Sequence, residues 1–527
     1  MRGWRDERGQ ALALVLILST VLFIAGTAAV AAALQQNRLV TLEEAREKAY
    51  YIAEAGVEKV LTQFRQSNKP YPLALPASGP YYQNTPFGGG KIEKVEVEIK
   101  KEKRDPNDPK SAEGIFAYIT STGVYPENPR PGQAQARRTV KAKVELLPDP
   151  FLSYGGPGVK SDRSVAMKGV ITVTRGSFLA RQGDISVSGG IQDFTGGIYA
   201  GGNVVLSAGL TAGSGEIKAG KDVDLTGLTR LGSLCTWKGD IYAGGKVKLP
   251  YWSSWLGLID PQRIHENCQS IPGFPLPSFP KVGKGTVWYS QVEQEARSRG
   301  YYFNSALDWF KDPQKGIKWD YSVIEAPDPL TGGAVVTVWV NGAELDLTDP
   351  NHNSFLAVVN GPLDFNQAFK AAYDAWKQDV INSYQSKYKG KATVTFVEFL
   401  GQPLAVLQVK SSQPATIVAD SITLDCGIFN LFGVKVDTHA VKNDFGLFAV
   451  NGDIKYTSDV ALGGRLSALA TGSFTFKCTG IDTTDLDWVA AGGPVTIEGI
   501  INVNYARASI PPATPMGGYR LDSWEVE

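Results

Sequence analysis

The feature that most constrains this chain is an uncharged run of 24 residues near its N-terminus, Ala11–Leu34. As an α-helix this run extends about 36 Å, which is enough to cross a hydrocarbon core of about 30 Å. A secretory signal peptide has an apolar region of only about 7–15 residues, so the sequence predicts a retained transmembrane helix. Arg2, Arg5 and Arg8 precede the run. The positive-inside rule therefore places a short leader, residues 1–9, in the cytoplasm and the bulk of the chain on the opposite side of the membrane.

The helix is predicted to continue beyond the membrane, over residues 10–66 in total. The segment Gln35–Gln66 contains no Pro, and its one Gly is Gly56. The second half of the helix is therefore predicted to be amphipathic and to pack against another element. Its apolar stripe recurs at three- and four-residue steps, at Leu39, Leu42, Ala45, Ala49, Ile52, Ala53, Gly56, Val57, Val60 and Leu61.

Three runs within residues 67–150 alternate apolar with polar side chains. They are Lys91–Lys101, Gly114–Tyr125 and Thr139–Leu147. A period of two residues is typical of strands with one face in water. The sequence predicts an antiparallel β meander whose apolar face packs on the amphipathic half of the helix.

The first 150 or so residues resemble a known family. The leader ends in Arg8-Gly9, the helix carries AYYIAEAGVEKVL at Ala49–Leu61, and ITSTGVY is followed by RRTVKAKVELL. These features are similar to PilX-type minor pilins of type IV pili and related prepilin-like proteins. The resemblance implies that a prepilin peptidase cuts between Gly9 and Gln10. It also implies a single-pass protein of a bacterial inner membrane, whose helix contacts lipid and packs with other pilin-like subunits in a surface filament.

Two positions depart from the pattern of major pilins. The mature chain would start with Gln10 where those families have Phe or Met, and Leu14 stands where they carry Glu as the fifth mature residue. That Glu is credited with pairing to the N-terminus of a neighbouring subunit. The resemblance therefore implies an accessory or tip-proximal subunit, or a protein that is never cleaved. A plain signal anchor that holds an exported domain is the alternative.

A nine-residue template, I-[YK]-A-G-[GK]-x-V-x-L, recurs after residue 151. It occurs at Ile198–Leu206, Ile217–Leu225 and Ile241–Leu249, so the spacing is near one coil of a β-solenoid. Each unit is too short to bury its own apolar face, so stacking supplies the core. The 57 Gly residues, without a G-X-Y period, fit this arrangement. We predict a parallel β-helix over residues 151–255 and again over residues 411–527, with a β-sandwich as the alternative.

Residues 256–410 interrupt the template. Helices are predicted near Gln291–Arg299 and over Asn366–Lys387, with strands at Ala334–Val340 and Ala392–Leu400, which together indicate a mixed α/β insertion. FLAVVNGPLDF at residues 355–365 and FAVNGDIKY at residues 448–456 share a pattern that indicates equivalent rungs. The predicted fold class is mainly β, with a long N-terminal helix and meander followed by a Gly-rich solenoid.

The four cysteines fall into two local pairs. Because each pair closes one excursion of moderate length, we predict the disulfides Cys235–Cys268 and Cys426–Cys478 if the region is extracytoplasmic. Four buried free thiols are the alternative. No metal-ligand spacing occurs among the cysteines and histidines, so no metal and no cofactor is predicted.

The sequence carries no nucleophile elbow, P-loop or metalloprotease helix, and we predict that the protein is not an enzyme. Asp482, Asp485 and Asp487 form the nearest acidic cluster, and a solvated loop is favoured over a cation site because the spacing is not that of an EF-hand. The net charge is zero, with 53 basic and 53 acidic residues, so nothing indicates a nucleic-acid partner.

Three aromatic residues follow the third template copy: Tyr251, Trp252 and Trp255. They form a candidate platform for sugar rings or for an apolar patch on a protein partner. The favoured alternative is that they seal the solenoid against the insertion.

Two functions remain from different classes. The first is a pilin-like structural or assembly component of a type IV pilus or related filament that displays the β-rich module, with adhesion as one role. The second is a membrane-anchored β-helix that binds or processes carbohydrate. The first is favoured because the variable template positions are chemically mixed, at Asn203, Asp222, Asp224, Lys246 and Lys248.

Overall fold

The computed structural model describes most of the 527-residue chain. The described residues are 7–66, 70–71, 77–104, 113–130, 133–148, 158–174, 176–227, 234–274, 276, 279, 282–399, 402–403, 406–426, 435–459, 462–480, 483–504 and 514–526. Residues 1–6 of the predicted leader and Asp482 lie outside this set. The predicted fold class is confirmed, since a long N-terminal helix is followed by mostly β structure that includes a large parallel sheet.

A single helix, α1 (Glu7–Gln66), opens the described chain. Its continuity follows from the sequence, because no Pro interrupts it and Ala and Leu favour the helix. Its apolar side chains are exposed up to Val40, whereas Ile52, Val57 and Phe64 are almost fully buried. The predicted division into an apolar half and a packed half is therefore correct.

The packed half of α1 lies on an antiparallel sheet. The sheet strands that follow it are β1 (Pro70–Tyr71), β2 (Gly79–Phe87), β3 (Gly90–Lys103), β4 (Glu113–Tyr125) and β5 (Ala136–Pro148). Strands β2 to β5 pair in sequence order, as the predicted meander requires. The last strand of the chain, Thr514–Val526, then pairs with β5 on one side and β1 on the other. We call α1 and these six strands the N-terminal domain.

Stacked short strands form the first part of the solenoid. These are β6 (Gly158–Ser161), β7 (Val165–Thr174), β8 (Ser177–Ala180), β9 (Ile185–Phe194), β10 (Ile198–Ala200), β11 (Val204–Gly213), β12 (Ile217–Ala219), β13 (Val223–Asp224), β14 (Leu234–Trp237), β15 (Ile241–Ala243) and β16 (Val247–Lys248). A short helix α2 (Tyr251–Trp255), a 3₁₀ turn at Pro261–Arg263 and β17 (Ile264–His265) complete the end rung. All pairings in this part are parallel, so the predicted β-helix is correct and the β-sandwich is not.

The template residues form columns along the stack. Ile198, Ile217 and Ile241 are register partners, and all three are fully buried. At one corner, Gly169, Gly189 and Gly499 have φ between 134° and 147°. A side chain there would also meet a neighbouring backbone, because a Cβ on Gly169 would lie 1.9 Å from the carbonyl oxygen of Gly499. Only Gly satisfies both constraints.

A connecting segment, residues 266–301, leads to the second part of the solenoid; we call it the strap. It contains α3 (Val287–Ser298), capped by the side chain of Thr286. Apolar side chains from the described residues of the strap pack on the outward side of the short strands. This explains why Trp488 and Phe448 are apolar and buried although they face away from the solenoid interior.

The second part of the solenoid carries a side lobe. The elements in chain order are β18 (Tyr302–Phe303), α4 (Ala306–Phe310), β19 (Lys318–Asp328), β20 (Gly333–Asp346), β21 (Phe355–Val359), β22 (Leu363–Asp364), α5 (Phe365–Lys387), β23 (Ala392–Phe396), β24 (Glu398–Phe399), β25 (Gln402–Pro403) and β26 (Val406–Lys410). The lobe consists of β19, β23, α5 and the first half of β20. The predicted insertion, residues 256–410, therefore also contains the solenoid strands β17, β18, β21 and β22.

Eight further strands continue the stack. They are β27 (Ala415–Ala419), β28 (Ile422–Cys426), β30 (Asp444–Ala449), β31 (Ile454–Ser458), β32 (Arg465–Ala470), β33 (Phe474–Cys478), β34 (Thr484–Ala491) and β35 (Val495–Asn504). Outside the stack, β29 (Lys435–Asp437) pairs with β26, and the final strand, β36 (Thr514–Val526), is the one that pairs with β5. Strands β21 and β30 lie in the same ladder on either side of β27, as the shared pattern at residues 355–365 and 448–456 indicates.

The solenoid is built from two segments that meet in its middle. Strand β34 pairs with β6, and β35 pairs with β7 over ten register positions. We call this junction the seam. The chain enters the stack at the seam, winds to β17, returns along the strap to β18 and winds back to the seam. The whole solenoid is consequently an insertion between β5 and β36 of the N-terminal domain.

Candidate functional site

The first half of α1 presents a long, continuous run of exposed apolar side chains. By length and composition, this helix is the one among the described residues that could cross a membrane, and its apolar stretch is not buried by other parts of the chain. Its exposed apolar side chains include Leu12, Leu14, Val15, Leu16, Ile17, Leu18, Val21, Leu22, Phe23, Ile24, Val30 and Leu34.

The few hydroxyl groups within this apolar half are satisfied by the helix itself. The Ser19 and Thr20 hydroxyls donate to the carbonyl of Leu16 at 3.0 and 2.7 Å. The Thr27 hydroxyl donates to the carbonyls of Phe23 and Ile24 at 3.0 and 2.9 Å. A segment whose polar groups are all paired internally can lie in hydrocarbon without the cost of an unsatisfied group.

The predicted cleavage position lies at the start of α1. Gly9 and Gln10 fall in the first turns of this helix, and Leu14 follows one turn later with its side chain exposed. Leu14 therefore offers an apolar surface where the major pilins have a carboxylate. Cleavage itself stays a prediction.

The three aromatic residues after the template do not seal the solenoid. Tyr251, Trp252 and Trp255 lie on α2 and are 58%, 40% and 69% exposed. Their rings meet edge to face, with interplanar angles of 79° and 75°, so they do not form one flat platform. Ser253 of α2 contacts the solenoid, since its hydroxyl accepts a 2.7 Å hydrogen bond from the Cys235 amide.

The predicted disulfide between Cys426 and Cys478 does not form, and the ladder register explains why. Cys426 is the register partner of Ser458, and Ser458 is the partner of Cys478. The two cysteines are thus two strand spacings apart, about 9.6 Å, whereas a disulfide requires Cα atoms within about 7 Å. Both residues are free and buried.

The second predicted disulfide, between Cys235 and Cys268, is absent too. Cys235 lies in β14, in register with Thr211. Cys268 lies beyond β17, where its amide donates to the carbonyl of Ala243 and its thiol to the carbonyl of His265. Both thiols are free, Cys235 buried and Cys268 half-buried. Burial raises the pKa of Cys235 to about 12 and, in the other pair, that of Cys426 to about 12.

The two described residues of the acidic cluster do not lie in a solvated loop. Asp485 and Asp487 lie in strand β34. Asp485 accepts a 2.8 Å hydrogen bond from Asn502, and the buried Asp487 lies 3.8 Å from the guanidinium of Arg465. Among the described residues there is no group of three or more His, Cys, Asp or Glu side chains arranged to hold a metal ion.

The mixed residues at the variable template positions have a structural role. The Asp184 carboxylate accepts from the amide of Asn203, the Asn203 side-chain oxygen accepts from the amide of Asp222, and the Asp222 carboxylate accepts from the amide of Lys246. Each corner side chain thus satisfies a backbone group of the next rung. This ladder requires an acceptor at Asp184, Asn203 and Asp222 and does not require a common charge.

Sequence reasoning missed two polar clefts where the lobe joins the solenoid, one on each side of Lys318. Their volumes are about 490 and 590 Å³. The first is lined by Tyr301, Lys315, Asp346 and Asn351 among others, and the second by Asp320, Asn341, Glu344 and Gln408 among others. The lining residues come from segments that are distant in the chain, so no local sequence motif predicts either cleft.

Comparison with known proteins adds little to this geometry. No protein-family model matches the sequence, and no curated protein matches it. Among solved structures, the crystal structure of the competence-associated pilin ComZ from Thermus thermophilus aligns over 92% of this chain and 97% of its own. The identity is 11% and the TM-score is 0.24, which does not establish a common fold.

Proposed function

We propose that this chain is a pilin-like structural subunit of a type IV pilus or a related envelope filament. The observation that carries the proposal is the two-part helix α1. Its second half is buried in the N-terminal domain through Ile52, Val57 and Phe64, whereas the apolar side chains of its first half have no partner among the described residues.

Physical chemistry limits what can cover the first half of α1. An exposed apolar surface of this extent in water is unfavourable at about 25 cal/mol per Å². A lipid bilayer and a bundle of similar helices both remove that cost. In a subunit that moves from the membrane into a filament, lipid covers this surface first and other helices cover it afterwards. The inner membrane, prepilin peptidase and other pilin-like subunits are the partners of this proposal.

The remainder of the chain serves as a displayed module. Because the solenoid is inserted between β5 and β36, both of its connections return to the N-terminal domain. The solenoid extends from that domain without interrupting the contact between α1 and its sheet. We assign no enzymatic activity to it, and adhesion or spacing at the cell surface is the role we propose.

The N-terminal mass of the membrane-extracted protein tests the proposal. The chain is expressed with its cognate prepilin peptidase, and a mass that starts at Gln10 is expected. A Gly9→Val variant is the matched control and is expected to keep Met1. An intact Met1 in the unaltered chain, with the peptidase shown to cut a known substrate, would leave a single-span anchor and would exclude processing as a pilin.

The exposed aromatic residues of α2 favour carbohydrate binding as a second candidate function. Tyr251 and Trp255 are more than half exposed, and Trp252 lies between them with part of its ring exposed, so aromatic surface is accessible to a ligand there. Retention of the full chain on immobilised surface polysaccharide, lost in a Trp252→Ala/Trp255→Ala variant, would support it. Equal retention of both proteins would dismiss it.

A further inference from the structure

The edge of the lobe sheet is an unpaired strand. Strand β19 is the first strand of a five-stranded sheet, and its outer side pairs with no strand among the described residues. Eight of its eleven residues are exposed along its length, Lys318–Asp328. A long exposed edge of this kind has unpaired backbone groups, to which a strand of another chain can add.

The hydrogen bonding of the lobe tells which backbone groups of β19 face outward. The amide of Ala334 in β20 donates to the carbonyl of Lys391, on the side away from β19. Its register partner, Pro327, is therefore in a non-hydrogen-bonded pair and faces the open edge. By alternation, the backbone groups of Tyr321, Val323 and Glu325 face the open edge as well.

Strand β19 itself contains no extra residue. The register shift between β19 and β20 falls where Asp320 opposes Gly342 and Tyr321 opposes Val340, so the extra residue, Asn341, belongs to β20. Pro327, which lacks an amide hydrogen, stands at an outward position and therefore removes no bond from the lobe.

The sequence of β19 is complementary to itself in an antiparallel arrangement. If Val323 of one copy faces Val323 of another, Tyr321 faces Glu325, and Lys318 faces Asp328 of the second copy. The remaining acidic residue, Asp320, faces the neutral Ala326. Opposite charges therefore meet at both ends and no like charges oppose each other, which is the arrangement that favours cross-strand pairing.

The outer face of the lobe sheet gains an apolar contact from the same arrangement. Ile324 and Trp339 lie on the face opposite α5 and are 62% and 46% exposed. Ser322 is the register partner of Trp339 in its own lobe and would face Ile324 of the second copy. The small serine leaves room for the isoleucine to approach the tryptophan.

We propose that β19 is a homotypic pairing edge, at which a second copy of this chain adds its own β19 antiparallel across a two-fold axis. The two lobes then form one continuous sheet. An isologous contact of this kind uses the same patch on both copies and closes on itself, so it makes a dimer and not a fibre. The proposal does not depend on assembly through α1.

Disulfide trapping between two differently tagged full-length chains tests the proposed register. One chain carries Ser322→Cys and the other Ile324→Cys, both in a Cys268→Ser background, and both are expressed together in membranes. The two positions form a non-hydrogen-bonded pair with Cα atoms about 4.5 Å apart, so a linked dimer that carries both tags is expected on mild oxidation. Each chain expressed alone is expected to link at least tenfold less, because each residue is then about 7 Å or more from its own copy.

Two further measurements keep the result decisive. Adding Val323→Pro to both chains removes an outward amide without breaking a bond inside the lobe, and is expected to reduce linking at least tenfold. Labelling with a maleimide shows that both thiols are accessible. No linking between accessible thiols, or equal linking in the single-chain samples, would overturn the proposal.

Discussion

At the scale of single residues, two glycines set how closely α1 approaches its sheet. A Cβ on Gly123 would lie 2.2 Å from the carbonyl oxygen of Ala49 and 2.5 Å from the amide nitrogen of Ala53. A Cβ on Gly56 would lie 2.2 Å from the hydroxyl oxygen of Ser121. The obstruction at Gly123 is helix backbone, which cannot rotate away, whereas the one at Gly56 is a side chain.

We therefore expect Gly123→Ala to separate α1 from the sheet and to destabilise the N-terminal domain by about 1–3 kcal/mol, the usual cost of overpacking. Thermal unfolding of the detergent-solubilised chain, followed by circular dichroism, measures the change. Gly342→Ala is the matched control, because a Cβ there meets nothing within 4 Å. An unchanged midpoint for Gly123→Ala would show that the helix does not pack as described.

The cysteines provide a second prediction at this scale. Because Cys235, Cys426 and Cys478 are buried, only the half-buried Cys268 is expected to react with a thiol reagent in the folded protein, and all four in denaturant. A Cys268→Ser variant is the control and should leave no fast-reacting thiol. Two reactive thiols at most in denaturant without reductant would indicate a disulfide and contradict the register argument.

The pH dependence of stability follows from the same burial. An unfolded thiol ionises near pH 8.5, whereas the pKa of the folded Cys235 is raised to about 12. The unfolded state loses its proton first, so this contribution to stability is complete below about pH 8.5 and is lost as the pH rises towards 12. Urea unfolding at pH 8 and pH 10.5 should show a decline, and the decline should be smaller in Cys235→Ala. Equal declines would mean that Cys235 is accessible to hydroxide.

The sequence predicted the burial and pairing of some residues correctly and of others wrongly. The columns of Ile198, Ile217 and Ile241 follow directly from the template, because residues one coil apart must share an environment. The pairing of Cys426 with Cys478 failed because separation along the chain does not reveal the number of rungs between two residues. The exposure of Trp252 was also missed, since burial of an aromatic residue depends on what the last rung of a stack meets.

At the scale of elements, the helices and strands of the N-terminal domain were the most predictable. Periods of two and of three to four residues fix the faces of β3 and α1, and those faces are buried as expected. The pairing of elements was less predictable. Nothing in the sequence of β36 indicates that it joins β5, and nothing in β19 indicates that its outer edge is open, because both facts depend on neighbours distant in the chain.

The packed half of α1 carries the prediction for this scale. Phe64 is 2% exposed and lies in the same cluster as Val60 and Leu146. Truncation with Phe64→Ala is expected to cost about 3–5 kcal/mol, as for other buried aromatic side chains. Leu39→Ala is the matched control, because Leu39 is 62% exposed and should change stability little. Denaturant unfolding in detergent measures both, and similar losses would contradict the assigned faces.

At the scale of the whole molecule, the seam makes the solenoid one body. Without it, residues 158–265 and residues 302–504 would each end in an unpaired rung at the junction. The pairing of β35 with β7, and of β34 with β6, removes both edges at once. The Ser161 hydroxyl also donates to the carbonyl of Gly493 at 2.6 Å across this junction. Both segments carry the same kind of rung, so the sequence reveals the repeats without revealing the order in which they stack.

A disulfide across the seam tests this order. Ala166 and Thr496 are exposed register partners in adjacent rungs, about 4.8 Å apart. The double variant Ala166→Cys/Thr496→Cys is expected to form a disulfide on oxidation, to shift in mobility on a non-reducing gel, and to gain about 2–4 kcal/mol in stability because the bond closes a long loop.

The matched control for the seam is Ala166→Cys/Thr475→Cys. Thr475 is the register partner of Thr496, so it lies one rung further, about 9.6 Å from Ala166 and beyond the reach of a disulfide. Linking is therefore expected only in the first pair, although the two control positions are closer in sequence. Linking of both pairs to the same extent, or of neither, would show that residues 158–265 and 302–504 do not stack at the seam. The solenoid would then be two separate bodies joined by the strap, with two unpaired edges in place of a closed junction.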